Sequence, residues 1–128
     1  MSVAADYKTI LVAVTGAPYS LEAVAFACSL AKARKSTVIA VHVIEVNRSM
    51  PLDASLDSEA RRGEQVLRKA EEIAASLDYP ITGELLQARD AGAAIIDEAL
   101  DREADLIVMG VSYDHHGGGS HLGRAAEF

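Results

Sequence analysis

"TILVAV", residues Thr9–Val14, is a short continuous apolar run that is rich in β-branched side chains. Two further runs share this character: TVIAVHVI at Thr37–Ile44 and DLIVMG at Asp105–Gly110. Runs of this length without polar alternation are typical of strands buried on both faces of a parallel sheet. A fourth segment, TGELLQA at Thr82–Ala88, is more polar and predicts an edge strand.

The segments between these strands carry apolar residues at helical spacing. We predict that Ser20 and Asp90 are the N-caps of the first and third helices, and that the second helix ends before Pro80. The apolar stripes of the three helices are Leu21, Val24, Ala25, Cys28 and Ala31; Val66, Ala70, Ile73, Ala74 and Leu77; and Ile95, Ile96, Ala99 and Leu100. The order βαβαβαβ, followed by the start of a fourth helix, predicts a doubly wound parallel sheet with right-handed crossovers.

The bulk properties limit the classes of protein to which the chain can belong. Its 128 residues suit one domain over residues 1–128, and its net charge of −7 argues against binding to nucleic acid. Cys28 is the single cysteine, so no disulfide can form within the chain. The N-terminus lacks the pattern of a signal peptide, and no apolar run approaches the roughly 20 residues of a membrane span. We therefore expect a soluble, cytoplasmic domain with no direct membrane insertion.

The place of a ligand site follows from the predicted topology. In open α/β sheets, ligands bind beyond the carboxyl ends of the strands, where the strand order reverses. The residues that directly follow the apolar runs are therefore the candidates. They lie at Thr15–Ala17, Val43–Glu45, Ala88–Arg89 and Gly110–Gly119.

Three stretches resemble the universal stress protein family. They are ILVAVTGAPYSLEAVAFACSLAK at residues 10–32, VIAVHVIEV at residues 38–46, and ADLIVMGVSYDHHGGGSHLGRAAEF at residues 104–128. The resemblance implies a three-layer α/β sandwich, an adenine nucleotide alpha hydrolase-like fold, with the sheet order 3-2-1-4. It also implies a role in stress responses and a fifth strand that often forms a dimer contact. We therefore expect that strand to be absent or supplied in trans, and the partner to be a second copy or another protein.

The resemblance also implies a site for ATP or AMP. Nucleotide-binding members carry an acidic residue after the first strand and a G-x-x-G-x9-G-[ST] pattern after the fourth. Gly110 and Gly123 keep the spacing of that pattern, and Val43 falls at the position whose backbone faces adenine. Three positions depart from it: Thr15 at the acidic position, Tyr113 at the second glycine and Arg124 at the hydroxyl. With the residues placed by the topology, the predicted cofactor-binding residues are Thr15, Gly16, Val43, Arg89, Gly110, Gly117, Gly118, Gly119, Gly123 and Arg124.

The glycine-rich segment itself has two interpretations. Gly117–Gly119 can present N–H groups to an anion, with Arg124 adding a charged donor. The same residues can equally form a flexible linker between strand and helix. Arg89 likewise is either a surface arginine or a group on the ligand side of the sheet.

Other reactive side chains are assigned structural roles. His115, His116 and His121 do not predict a metal site, because adjacent histidines point apart and only Asp114 adds a carboxylate. Cys28 lies on an apolar stripe and is expected in the core.

His42 lies within the second strand, where we expect a hydrogen-bonded, half-buried side chain. The signature motifs of hydrolases, P-loop enzymes and metalloproteases are absent from the sequence. Three hypotheses remain: a nucleotide- or anion-sensing domain, a nucleotide-free dimerisation or docking module that can belong to a larger transporter, and a slow ATPase. The ATPase ranks last, because no general base or metal-holding carboxylate is evident.

Overall fold

The computed structural model describes residues 7–114 and 119–121 and has an α/β fold. Four parallel strands form one sheet in the order β3-β2-β1-β4, and two short strands, β5 and β6, pair antiparallel. This confirms the predicted fold class and strand order. The elements are β1 Thr9–Ala13, α1 Pro18–Arg34, β2 Thr37–Glu45, α2 Asp57–Ser76, β3 Thr82–Ala88, α3 Ala91–Asp101, β4 Leu106–Met109, β5 Ser112–Asp114 and β6 Gly119–His121.

Strand β1 is an internal strand of the sheet. It pairs with both β2 and β4, so that Ile10 lies opposite Val38 on one side and Leu106 on the other. Ile10, Leu11 and Val12 are all fully buried. Because successive side chains of a strand point to opposite faces, β1 contributes to the cores on both sides of the sheet.

The two faces of the sheet carry different helices. Helices α1 and α2 cover one face, and their apolar side chains pack with those of Ile10, Val12 and Val38. Helix α3 covers the other face, where Ile95 and Ala99 pack against Leu11 and its neighbours. The result is the expected three-layer sandwich, with one core on each side of the sheet.

The predicted helix starts are half right. Asp90 caps α3, since its side chain accepts a hydrogen bond of 3.1 Å from the Ala93 N–H. Ser20 is wrong as an N-cap, because α1 begins at Pro18 and its N-cap is Ala17. Proline is favoured in the first turn, where its missing N–H costs no helical hydrogen bond. Ser20 is instead buried inside the helix.

Two further features differ from the sequence pattern. Ile96 and Leu100 belong to the apolar stripe of α3 but are exposed, whereas Ile95 and Ala99 are buried. After β4, residues Ser112–Asp114 pair antiparallel with Gly119–His121, a pairing that the sequence pattern did not predict. The predicted start of a fourth helix lies outside the described residues.

None of the described helices has the length and apolar character that crossing a membrane requires.

Candidate functional site

The residues predicted to bind a ligand follow strands that end at one edge of the sheet. Ala13 pairs with Val41 on β2 and with Met109 on β4, so the ends of β1 and β4 coincide. Strand β2 continues with β3 for four more residues, to Glu45. Thr15, Gly16 and Gly110 therefore lie where the strand order reverses, and Val43 and Arg89 lie along the same edge.

The Val43 backbone faces the space beyond the end of β1. The last hydrogen bond from the β1 side to β2 runs from the Val14 N–H to the Val41 carbonyl, at 2.9 Å. Backbone groups of a strand point to the same side at every second residue, so the Val43 N–H and C=O point to the side that Val41 uses. Since β1 has ended there, these groups can meet a ligand. The Val43 side chain is half-buried and packs on the core under α3.

Thr15 is engaged within the turn between β1 and α1. Its N–H donates to the Ser20 hydroxyl at 2.8 Å, and the two hydroxyl oxygens lie 2.9 Å apart. The Thr15 hydroxyl also accepts from the Ala17 N–H at 3.1 Å. The side chain at the acidic position of the family pattern therefore stabilises the start of α1, and the neighbouring exposed Gly16 is the freer of the two for ligand contact.

Gly110 has a packing role that is independent of any ligand. A Cβ atom at this position would overlap the Tyr19 carbonyl oxygen and would lie 2.9 Å from the Tyr19 carbonyl carbon. Only glycine permits so close an approach of the first turn of α1 to the end of β4. Packing alone therefore explains why position 110 is a glycine.

Arg89 and Glu45 organise the start of α3. The Arg89 guanidinium donates to the Asn47 carbonyl, and the Glu45 carboxylate accepts from the Ala91 N–H at 2.9 Å. With Asp90 as N-cap, two carboxylates already lie at the positive end of the α3 dipole. An incoming anion would therefore meet Arg89 at this edge and not the α3 N-terminus. Sequence analysis placed Glu45 among the candidate residues but did not predict its contact with α3, because Glu45 is 46 positions from Ala91 and no local pattern connects them.

His42 and Cys28 lie where the sequence predicts them. His42 Nδ1 lies 2.9 Å from the Val14 carbonyl oxygen, and its ring packs under α2 at Gly63, so it is hydrogen-bonded and half-buried. Cys28 is buried in the core, and desolvation raises the pKa of its thiol despite the opposing charge of Lys32. Within residues 7–114 and 119–121, no three His, Cys, Asp or Glu side chains converge as metal ligands.

The glycine-rich segment is only partly described. Gly119 begins β6 opposite Asp114, and Tyr113 pairs with Ser120. The remaining predicted residues of this segment lie outside the described residues; they are Gly117, Gly118, Gly123 and Arg124. Whether they form an anion-binding loop therefore stays a prediction, as does the absence of a metal at His115 and His116.

Comparison with known sequences agrees with this architecture. The sequence profile of the universal stress protein family matches residues 6–127. A universal stress protein of Methanocaldococcus jannaschii is 33% identical over 112 residues, which are 83% of this chain and 65% of that relative. Universal stress protein A of Escherichia coli is 33% identical over 115 residues, 86% of this chain and 76% of that protein. The chain thus spans about two thirds to three quarters of these relatives.

Solved structures agree on the fold. A universal stress protein from Archaeoglobus fulgidus superposes with a TM-score of 0.79 at 23% identity, covering 94% of this chain and 89% of that one. The Archaeoglobus fulgidus universal stress protein in complex with dAMP gives 0.69 at 22% identity, covering 82% of each chain. A universal stress protein in complex with cAMP gives 0.67 at 23% identity, covering 81% of this chain and 76% of the other. At these identities the likeness establishes the fold alone.

Proposed function

The chain belongs to the universal stress protein family, and we propose that it is a regulatory domain that binds an adenine nucleotide at the carboxyl edge of its sheet. The observation that carries this proposal is the Val43 backbone, whose N–H and C=O face the space beyond the end of β1. An adenine ring offers a donor and an acceptor on one edge, which match such a backbone pair. Two structural neighbours, solved with dAMP and with cAMP, support the choice of ligand class.

The proposed site offers fewer ligand contacts than the family pattern provides in nucleotide-binding members. Thr15 brings no carboxylate to this edge, and its hydroxyl is already engaged by Ser20 and Ala17. We assign the phosphate to Arg89 and, in the segment after β4, to Gly117–Gly119 and Arg124. We therefore expect binding in the micromolar to millimolar range, through the base and one phosphate.

Isothermal titration with AMP, cAMP, ADP and ATP tests the proposal. We expect saturable heat, a higher melting temperature, and little or no response to GMP, because guanine presents a different donor and acceptor pattern at the Val43 backbone. No heat and no thermal shift at millimolar adenine nucleotide would refute adenine nucleotide binding.

A pair of arginine variants tests the location. Arg89→Gln removes a cation at the proposed site, whereas Arg34→Gln removes an exposed cation near the C-terminus of α1, at the opposite end of the sheet. We expect Arg89→Gln to weaken AMP binding by about threefold to tenfold, and Arg34→Gln to leave it unchanged. Equal losses in both variants would indicate a general charge effect and would argue against the site.

A second candidate function is a nucleotide-free module that pairs with a second copy of the chain. The observation in its favour is a group of exposed apolar side chains on α3 and β4, namely Ile96, Leu100 and Ile107. Contiguous apolar surface of this kind marks interaction sites. Size-exclusion chromatography with light scattering should then give a dimer whose mass is unaffected by nucleotide. A monomer at high protein concentration would contradict this candidate.

A further inference from the structure

A groove on the α1/α2 side of the sheet carries chemistry that the proposed nucleotide site does not use. It runs between the start of α1 and the first half of α2 and has a volume of about 400 Å³. We name it the basic groove; its lining residues are Thr15, Gly16, Pro18, Leu21, Arg62, Gln65, Val66 and Lys69. It meets the nucleotide edge only through Thr15 and Gly16.

The charge of the basic groove is opposite to that of the protein. The chain has a net charge of −7, yet this lining contains two cations, Arg62 and Lys69, and no carboxylate. Three other surface grooves all include acids. Their acids are Asp90, Asp97 and Glu98 between β3 and α3, Asp105 between α3 and β4, and Glu45 beside Arg89. A pair of cations in a lining without a carboxylate, on a protein of net negative charge, indicates affinity for an anion.

The two cations share one face of α2. Arg62 and Lys69 are seven residues apart, two helical turns or about 10 Å along the axis, and Gln65 and Val66 lie between them. Among the described residues, neither cation forms a salt bridge. The negative neighbour of Arg62 is Glu59, which is itself fully exposed on the same helix. Both side chains are exposed and have long, flexible stems, so they can turn toward one bound group.

The floor of the groove is apolar. Pro18 and Leu21 of α1 face Val66 of α2, and a Cβ added at Gly16 would come within 4.0 Å of Val66 Cγ2, so the turn and the helix close one end. An inorganic ion would leave this floor in contact with water, and a neutral hydrocarbon would leave the cations uncompensated. The volume lies within the range of about 300–1,000 Å³ that is usual for small-molecule sites.

We infer that the basic groove binds a phosphate monoester with an apolar body. The dianionic phosphate matches the two cations, with the Arg62 fork donating to two phosphate oxygens, and the apolar body lies on Pro18, Leu21 and Val66. Gln65 offers a further donor along the rim. This site does not depend on nucleotide binding at the Val43 edge.

The test is a ¹⁵N-labelled amide titration of the full chain with phenyl phosphate as the probe. We expect saturable shifts at Gly16, Leu21, Gln65 and Val66, without matching shifts at Ile96 and Leu100. The variant with Arg62→Gln and Lys69→Gln should bind the probe at least tenfold more weakly. The matched control is the double variant Arg61→Gln, Arg68→Gln. Each of these arginines directly precedes a groove cation in the sequence but does not line the groove, so the control removes the same amount of charge. The control should bind within twofold of the native protein.

Two further probes define the ligand class. Inorganic phosphate should bind at least fivefold more weakly than phenyl phosphate, and phenol should not saturate the groove. The inference is overturned if the groove amides show no saturable shift, if the control loses as much affinity as the groove variant, or if inorganic phosphate binds as well as phenyl phosphate. All the variants change exposed side chains, and a melting curve verifies that each remains folded.

Titration with AMP separates this inference from the proposed function. AMP that shifts the Val43 amide equally in the native protein and in the Arg62→Gln, Lys69→Gln variant supports the nucleotide site, whatever phenyl phosphate does. Conversely, phenyl phosphate that binds the groove of a protein whose Val43 amide does not respond to AMP supports the groove and refutes the proposed function.

Discussion

In the part of the chain that the structure describes, the two faces of the sheet are covered to different extents, although helices with apolar stripes lie on both. On the face of α1 and α2, which we call the closed face, two helices bury a continuous core, and Leu67 is only 7% exposed. On the face of α3, which we call the open face, one helix of the described residues packs against β2 and β3, and Leu100 is 72% exposed. Hydrophobic periodicity therefore identifies a helix face that can be buried, and the number of neighbouring elements decides whether it is.

The difference has a consequence for β4. Its partner β1 lies under helices on both faces, whereas Ile107 of β4 is 36% exposed on the open side, beside Ile96 at 40%. Exposed apolar side chains contribute little to the folding free energy in the described structure. The closed face should therefore carry most of the stability, and the open face should tolerate substitution.

The largest expected effect comes from truncating one leucine on each face. Leu67→Ala should lower the free energy of unfolding by about 2–5 kcal/mol, because it leaves a cavity in the closed core. Leu100→Ala should change it by no more than about 0.5 kcal/mol, because that side chain is already solvated. Urea denaturation of both variants measures the two values.

The effect of Leu100→Ala tests whether the open face is exposed to solvent in solution. A loss of more than about 1 kcal/mol for Leu100→Ala would mean that the face is covered in solution. If a second copy covers it, the melting temperature of the native protein should also rise with protein concentration.

The next effect concerns two glycines at the carboxyl edge. Gly110→Ala should destabilise by about 1–3 kcal/mol, because the new methyl group meets the Tyr19 carbonyl and a backbone cannot step aside cheaply. Gly16→Ala is the control, since its methyl group has no neighbour nearer than Val66 Cγ2 at 4.0 Å. It should leave stability unchanged or raise it by up to about 1 kcal/mol. Thermal melts of the two variants would contradict this packing role of Gly110 if they coincided.

The elements of the fold could be predicted because their signals are local. Buried strands are continuous apolar runs, and Thr82–Ala88 has the bounds predicted for an edge strand. The strand order could be predicted from the family resemblance together with the alternation of strands and helices. Asp90 was also predictable as a cap, since it lies only three residues before Ala93, whose N–H donates a hydrogen bond to its side chain.

The details of the site were less predictable, because they depend on contacts between distant segments. Glu45 reaches the first turn of α3 from another strand, and the basic groove joins the β1–α1 turn to α2. Ser20 carried the correct residue type for a cap, yet the observed N-cap is Ala17, three positions earlier, which leaves the Ser20 hydroxyl to bind Thr15. The exposure of Leu100 likewise depends on which elements lie beside α3, and periodicity carries no such information.

The smallest expected effect concerns the helix that covers the open face. Because α3 buries less apolar surface than the helices of the closed face, its N-cap should contribute a measurable share of its local stability. Asp90→Ala removes the acceptor of the Ala93 N–H and should cost about 1 kcal/mol. Asp97→Ala, an exposed site on the same helix, should stay within about 0.5 kcal/mol. Amide hydrogen exchange should show faster opening of α3 in Asp90→Ala while α1 keeps its protection; uniform loss across both helices would mean that the two faces unfold as one unit.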